Sequence, residues 1–263
     1  MTALTRLSCC SAGYLSSAAA TKARKLSCSV YDRLRIATGF IDSAGSSSSI
    51  ALASLSSSSS ALPTLRNIES ACCMASGVNN LISTGALFSQ LITGAILYES
   101  EEGNFIVALD PITMTVRRVV RPPLVIISKL LRLFSKTLNS AHFLGHSDLK
   151  IIRLGAHAKI VGGIGTGLGA LSSACSLIND ACCLASIHPD KYYHSQEDKI
   201  KLRQVIRETI FSFICNLVDI ATAGVSIVFS FAPVLLGTHA LLILGIFSLL
   251  SSVLNLVQDI ITG

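Results

Sequence analysis

The chain has 263 residues, of which 51% are hydrophobic and only 14% are charged. Ordinary soluble domains carry roughly 25% charged residues, so this composition argues against a protein whose whole surface faces water, and lipid is the obvious alternative solvent. The formal net charge of +6 is modest, and aromatic residues make up only 6%, so nucleic-acid binding is not indicated.

Residues 1–67 form a serine-rich segment of low complexity. Such a segment buries too little apolar surface to offset its ordering entropy, which predicts a disordered or loosely helical region. The stretch after Arg6 lacks the leucine-rich core of a secretory signal peptide, whereas its basic, serine-rich and acid-poor composition also fits a mitochondrial transit peptide. The basic residues that lead the chain, with Asp32 as the first acid, are Arg6, Lys22, Arg24, Lys25, Arg33 and Arg35.

Residues 68–123 are predicted to form an apolar helix followed by a polar connector. No formal charge occurs from 71 to 98, and residues 81–98 have about the length of a short membrane span. In the connector, the segment 105–120 alternates in hydropathy around Asp110-Pro111. This alternation predicts a small β-hairpin.

Residues 124–188 begin with a basic amphipathic helix. Basic residues recur there at spacings of three and four, as an amphipathic helix requires. Such a helix either lies on a membrane surface or packs on a core with a solvated basic face, and both interpretations stay open. The basic face is predicted to contain Lys129, Arg132 and Lys136, and the opposite apolar side Leu130, Phe134 and Leu138.

The same region continues into the glycine-rich stretch 160–179, which has no formal charge. Gly163 and Gly167, like Gly165 and Gly169, have the small-xxx-small spacing that lets two helices approach closely, within the chain or between two copies. Gly165, Gly167 and Ala170 also fit a dinucleotide-binding fingerprint, but the following residues are typical of a helix and not of a βαβ unit. Helix packing is therefore the favoured interpretation.

Residues 189–219 are predicted to form a charged helical linker. Ser195 and Asp198 have the spacing of a capping box, so a helix should begin there and continue into the apolar C-terminus. Cations flanking a membrane span favour the cytosolic side, so this linker is expected in a cytosol. The cations are Lys191, Lys199, Lys201, Arg203 and Arg207.

Residues 220–263 have the pattern of a membrane-inserted helical hairpin. Between Asp219 and Asp259 lie 39 residues without formal charge. A turn at 237–239 leaves arms of 17 and 18 residues, each about 26 Å long at ~1.5 Å per residue, against a hydrocarbon core of about 30 Å. Both acids are then expected at one membrane interface. The turn-prone residues between the arms are Pro233, Gly237, Thr238 and His239. The predicted fold class is all-α, with this hairpin, further apolar helices and the low-complexity N-terminal segment.

Motifs of enzymes and cofactor sites are weak or missing in the sequence. His142 and His146 are four residues apart, but the segment lacks the acid of a metalloprotease motif. Nine cysteines, with adjacent pairs and no C-x-x-C, do not describe a disulfide framework or a zinc site. No nucleophile elbow and no catalytic carboxylate pair occur. We therefore expect a non-enzymatic protein without a metal or cofactor.

Two apolar lobes, Ile220–Leu236 and Ala240–Val257, follow a serine-rich N-terminus, Cys-Cys pairs and the segment RPPLVIISKLL. This arrangement resembles the inclusion membrane proteins of chlamydiae, which are type III secreted and inserted in the vacuole membrane by a bilobed hydrophobic domain. The resemblance implies a secretion signal within residues 1–67, an anchor in the lipid bilayer, segments in the host cytosol that bind a host protein, and no catalytic residue.

Two other classes of protein remain open. A mitochondrial multi-pass membrane protein would use residues 1–40 as a transit peptide. A soluble helical bundle that inserts conditionally would also have buried helices without charge. The second arm of the hairpin argues against the soluble bundle, because apart from serines and Asn255 it is apolar around its whole circumference.

Overall fold

The structure, a computed structural model, describes residues 17–55, 59–101, 104–109, 116–146, 151–187 and 196–262. The prediction of an all-α fold, with an apolar helical pair at the C-terminus and further apolar helices before it, is confirmed. The helices are α1 (Ser17–Ser54), α2 (Leu62–Ile92), α3 (Pro123–His146), α4 (Ala158–Ser186), α5 (Gln196–Phe231) and α6 (Ala240–Thr262). Short 3-10 helices cover Gly155–His157 and Pro233–His239.

The chain folds as two compact units. Among the described residues, the smaller unit contains those up to Tyr31 together with those of Gly85–Arg121, and the larger contains those of Asp32–Thr84 and Pro122–Gly263. Helices α1 and α2 therefore contribute one end to the smaller unit and the rest to the larger.

The smaller unit contains two short antiparallel strand pairs. Strand β1 (Ser100–Glu101) pairs with β2 (Asn104–Phe105), and β3 (Val107–Leu109) pairs with β4 (Val116–Arg118). The second pair lies on the segment whose alternation predicts a hairpin, while Asp110-Pro111 lies outside the described residues. The largest fully buried side chains among the described residues of this unit are Leu87 and Ile96.

Helix α1 is continuous from Ser17 to Ser54 through the serine-rich segment, where the sequence predicts a disordered or loosely helical region. Several of its serine hydroxyls donate back to the backbone one turn earlier, as between Ser47 and Ser43 (2.8 Å) and between Ser54 and Ile50 (2.9 Å). These bonds keep the hydroxyls satisfied inside a helix. Because serine is not a strong helix former, packing against neighbouring helices must supply the remaining stability.

The larger unit is built from helices that pack antiparallel to their neighbours in sequence. Polar side chains make many of these contacts, and one contact for each neighbouring pair illustrates the order. The pairs are Ser49–Glu69 for α1 and α2 (2.6 Å), Thr84–Ser140 for α2 and α3 (3.1 Å), Ser135–Gly165 for α3 and α4 (2.7 Å), Asp180–Ser212 for α4 and α5 (2.8 Å), and Thr222–Phe247 for α5 and α6 (3.1 Å).

Helix α6 returns to contact α1, so the order of contacts closes on itself. A Cβ atom added at Gly39 would lie 3.1 Å from Cβ of Leu256, and one at Gly245 would lie 2.7 Å from Cγ1 of Ile50. Glycine on each helix thus faces a bulky side chain of the other. This close approach fixes α1 against the last helix of the chain.

Helix α5 includes the described part of the charged linker, from Gln196 onwards, and the first arm of the predicted hairpin. It begins at Gln196, next to the predicted capping box, and continues through Asp219 without a break. It ends at Phe231, so the prediction that the first arm reaches Leu236 is wrong. Pro233 explains the difference, because a residue before proline disfavours helical geometry, and Ala232 has φ −142° and ψ 58°.

The turn between α5 and α6 is longer than predicted. It contains Ala232 and the 3-10 helix Pro233–His239, in which Gly237 has a φ of 68°. Only glycine adopts this left-handed backbone without a steric cost. The turn residues predicted from the sequence, including Thr238, therefore lie together between the two arms.

Candidate functional site: an apolar surface and a polar interior

Within the part of the chain that the structure describes, three helical segments are long and apolar enough to cross a membrane. They are Ala158–Ser186 with 29 residues, Leu202–Phe231 with 30 and Ala240–Ile260 with 21. At ~1.5 Å per residue each reaches or exceeds a hydrocarbon core of about 30 Å. Their length and composition are compatible with a membrane protein.

The outward faces of these helices are apolar. On α4 three exposed residues recur every seven positions, at Ile164, Leu171 and Ile178, and Ile160 is exposed as well. On α6 the exposed residues Ile246 and Leu250 lie four apart on one helix face, and the stripe continues towards the C-terminus. Large apolar side chains exposed along whole helices are expected where the surrounding medium is lipid and not water.

The buried positions show the opposite character. Among the residues that the structure describes, more buried side chains are polar than hydrophobic. A water-soluble bundle would bury leucine and isoleucine instead. Small polar residues pack closely and hydrogen-bond between helices in membranes. The buried polar residues of the larger unit are Ser48, Ser83, Ser128, Ser135, Ser140, Ser172, Ser173, Asn216 and Asp259.

Helix α3 bears on the two interpretations that its sequence leaves open. Phe134, on the predicted apolar side, is 57% exposed, which does not fit packing on a core through that side, whereas Leu133 is buried together with Ser128 and Ser135. Nor is the basic face fully solvated, since Lys129, Arg132 and Lys136 are only partly exposed. The Lys136 ammonium donates to the Asn80 side chain on α2 (2.6 Å). The periodicity of the sequence identifies the basic and the apolar face of α3, but the basic face is directed towards neighbouring helices.

The glycines of α4 lie against two different helices. A Cβ atom at Gly163 would lie 2.5 Å from the Phe231 ring on α5, and one at Gly165 would lie 2.3 Å from the Asn139 amide oxygen on α3. Gly169 faces Ser135 on α3 at 3.1 Å, while nothing lies within 4 Å of the Cβ position of Gly167. The small residues of α4 thus allow close packing against other helices of the same chain. All four glycines are inside a helix, so the dinucleotide fingerprint lacks the preceding strand it needs.

The two glycines Gly165 and Gly167 provide a matched pair of substitutions. We expect Gly165→Leu to destabilise the detergent-purified chain by about 1–3 kcal/mol, because the added side chain must displace Asn139 and separate α3 from α4. Gly167→Leu should be neutral or stabilising, since glycine has a helix propensity roughly 0.8–1 kcal/mol poorer than better helix formers. Thermal unfolding followed by circular dichroism measures both. Equal losses from both substitutions would contradict this packing.

Asp219 accepts two hydrogen bonds from α6. Its carboxylate receives the Ser251 hydroxyl (2.5 Å) and the Asn255 amide (2.7 Å). The prediction of a membrane interface at Asp219 rests on the unfavourable free energy of a carboxylate deeper in the hydrocarbon core. The two hydrogen bonds from α6 make that free energy less unfavourable. The other predicted boundary residue, Asp259, forms a salt bridge with Arg35 on α1.

An equivalent arrangement joins α4 to α5. Asp180 accepts hydrogen bonds from Ser212 (2.8 Å) and Asn216 (3.1 Å). Each residue of this set recurs 39 positions later in the set of Asp219, and the two sets share the order of an acid followed by serine and asparagine four residues apart. Sequence reasoning missed both sets, although the repeated Asn-Leu-Val after each serine was a visible signal.

Charged side chains also meet between α1, α3 and α6. Arg132 on α3 lies within electrostatic range of Asp259, whose salt-bridge partner is Arg35. On α1, burial raises the pKa of Asp42, and a hydrogen bond with Ser76 and the charge of Lys136 oppose this rise. The inner side of the unit is therefore ionic as well as polar.

The described part of the chain contains no group of three or more His, Cys, Asp or Glu side chains that would hold a metal ion. His142, one of the paired histidines, hydrogen-bonds through Nδ1 to the backbone carbonyl of Ala158 (2.8 Å). This bond ties the end of α3 to the start of α4. The side chain of His146 lies outside the described residues.

Comparison with known proteins gives no relative of this chain. No protein-family model, no curated protein and no solved structure matches it significantly.

Proposed function

We propose that the chain is a non-enzymatic integral membrane protein of a pathogen-containing vacuole. The bacterium secretes it through a type III system, the apolar helices insert in the vacuole membrane, and the cytosolic segments bind a host protein. The single observation that supports the membrane part is the reversed distribution of polarity, with serines inside and isoleucines and leucines outside. The vacuole and the host partner follow from the resemblance to inclusion membrane proteins.

The orientation in the membrane follows from the antiparallel helices. Because α4 and α6 each run antiparallel to α5, the end of α4 at Ser186 and the start of α5 at Gln196 lie on the same side as the C-terminus of α6, and the turn 232–239 lies on the other. Cations cluster in the charged linker, residues 189–219, whereas no formally charged residue occurs in the turn. The positive-inside rule then assigns the linker to the cytosol of the host.

Carbonate extraction and protease protection test this topology. We expect the chain expressed in host cells to stay in the membrane pellet at alkaline pH, and an epitope inserted within 188–195 to be digested without detergent. A matched epitope inserted after Gly237 should resist digestion until detergent is added, because it lies on the opposite side. Extraction into the supernatant would contradict membrane insertion, and a protected linker epitope would reverse the orientation.

Secretion has a separate test. Residues 1–67 fused to a reporter enzyme should be exported by a bacterium with an intact type III system and retained by a strain without the export ATPase. Import of the full chain into mitochondria with cleavage near residue 43 would instead support the mitochondrial alternative. The continuity of α1 through residue 43 is compatible both with type III secretion and with mitochondrial import.

A further inference from the structure

We propose that Cys182 and Cys183 are a site of S-acylation, each thiol carrying a long-chain fatty acyl group on the cytosolic side of the membrane. The side of the membrane rests on the proposed function, while the choice of residues rests on their place in α4. Both thiols are exposed, and they are adjacent in the sequence.

Their depth in the membrane suits acylation. Helix α4 has 29 residues and is therefore about 44 Å long, roughly 14 Å more than the hydrocarbon core. Each end then extends into the headgroup region. Cys182 and Cys183 lie within the last turn and a half before Ser186, which places their thiols near the boundary between headgroups and acyl chains. Cysteines beside a membrane span are typical substrates of reversible palmitoylation.

The surroundings of the two thiols are open. Ala181 and Ala185, both exposed, offer no bulky side chain to cover them. The Asn179 amide makes a long contact of 3.9 Å with the Cys183 sulfur, which leaves the thiol accessible. Successive residues point about 100° apart on a helix, so two acyl chains would spread over the outer surface of α4.

Other cysteines in the candidate spans lack one of these properties. Cys215 on α5 is buried, and Cys175 on α4 is only partly exposed and lies about 10 Å deeper than Cys182 at ~1.5 Å per residue. Neither thiol meets a cytosolic acyl donor. These two residues therefore serve as matched controls, and so does the pair Cys72-Cys73 on α2, outside the candidate spans.

The chemistry is a thioester exchange without a change in oxidation state. The cysteine thiolate attacks the carbonyl carbon of a long-chain acyl-coenzyme A, which a membrane-embedded acyltransferase of the host supplies. The new carbon–sulfur bond to the protein forms as the bond to coenzyme A breaks. Coenzyme A leaves as a thiolate and takes up the proton that the cysteine lost.

Acylation would fix the cytosolic end of α4 at the membrane. A buried acyl chain contributes about 0.8 kcal/mol for each CH₂ group, and two chains give stable anchoring where one gives only marginal binding. The first residues of α5, which begins at Gln196 on the same side, would then be held near the membrane surface. Removal of the acyl groups would release this segment without extracting the spans.

The test uses the full chain in mammalian cells fed an alkynyl analogue of palmitate. We expect hydroxylamine-sensitive labelling of the wild-type chain, and a mass-tag exchange assay should show two modified thiols. Cys182→Ser with Cys183→Ser should abolish the label. Cys175→Ser, Cys215→Ser and the Cys72→Ser/Cys73→Ser pair should retain it.

Carbonate extraction of the same samples separates this inference from the proposed function. A chain that stays in the pellet but carries no label, or a double variant that keeps the label, would overturn the acylation site alone. A wild-type chain that is extracted by carbonate and unlabelled would overturn both. The unlabelled Cys182→Ser/Cys183→Ser variant should remain resistant to carbonate, because its apolar helices are unchanged.

Discussion

Replacing Ile246 and Leu250 together with lysine should abolish the stable membrane association of the chain. Both side chains are about half exposed on the outer face of α6, near the middle of the last candidate span. A lysine near the centre of a membrane helix costs roughly 2.5–3.5 kcal/mol on insertion scales, so the pair costs on the order of 5–7 kcal/mol. We expect the variant to move from the carbonate-resistant pellet to the supernatant or to be degraded.

The same substitutions would have little effect on a water-soluble bundle. Exposed surface changes usually alter stability by only about ±0.5 kcal/mol, and lysine would improve solubility. Ile200→Lys is the matched control, because Ile200 is also exposed on α5 but precedes the candidate span that begins at Leu202. A double variant that keeps its membrane association and a wild-type melting curve would argue for lipid-free packing of α6.

Breaking the salt bridge between Arg35 and Asp259 should have the second largest effect, and the two single substitutions should differ. Asp259 is only 8% exposed, whereas the Arg35 side chain is 37% exposed. Arg35→Met leaves a buried carboxylate without its main partner, so we expect a loss of about 3–5 kcal/mol. Asp259→Leu leaves an arginine that can reach solvent or headgroups, and its cost should be smaller, about 1–3 kcal/mol.

The double variant Arg35→Met/Asp259→Leu distinguishes a specific pair from two separate losses. With both charges removed, no buried ion is left alone, so its loss of stability should be less than the sum of the single losses. Thermal unfolding in detergent micelles, followed by circular dichroism, measures all four proteins of this cycle. Strict additivity would show that α1 and α6 do not depend on this ion pair.

The helices of the C-terminal half could be predicted from the sequence because their signals are local. The uncharged stretch after Asp219 indicated an apolar pair of helices, and the capping spacing at Ser195 indicated where α5 begins. The end of the first arm at Phe231 was not predicted, because a turn that begins at Gly237 places the end of that arm at Leu236. The restriction that Pro233 places on Ala232 was the local signal that would have corrected it.

The direction in which a helix faces could not be predicted from periodicity alone. The pattern of α3 separates a basic face from an apolar one, but it does not say which medium surrounds the bundle. In water the apolar face turns inwards, whereas here Phe134 is exposed and Lys136 contacts Asn80. The continuous helix α1 was equally hidden, because its order depends on contacts with distant residues such as Leu256.

The contact between the first helix and the last affects how the chain acquires its structure. Arg35 and Asp259 are separated by 224 positions, and the contacts of Gly39 and Gly245 span similar distances in sequence. During synthesis from the amino terminus, α1 therefore cannot form its contacts with α6 until nearly the whole chain has been made. Such non-local pairing predicts slow final assembly and leaves the early helices dependent on chaperones or lipid in the meantime.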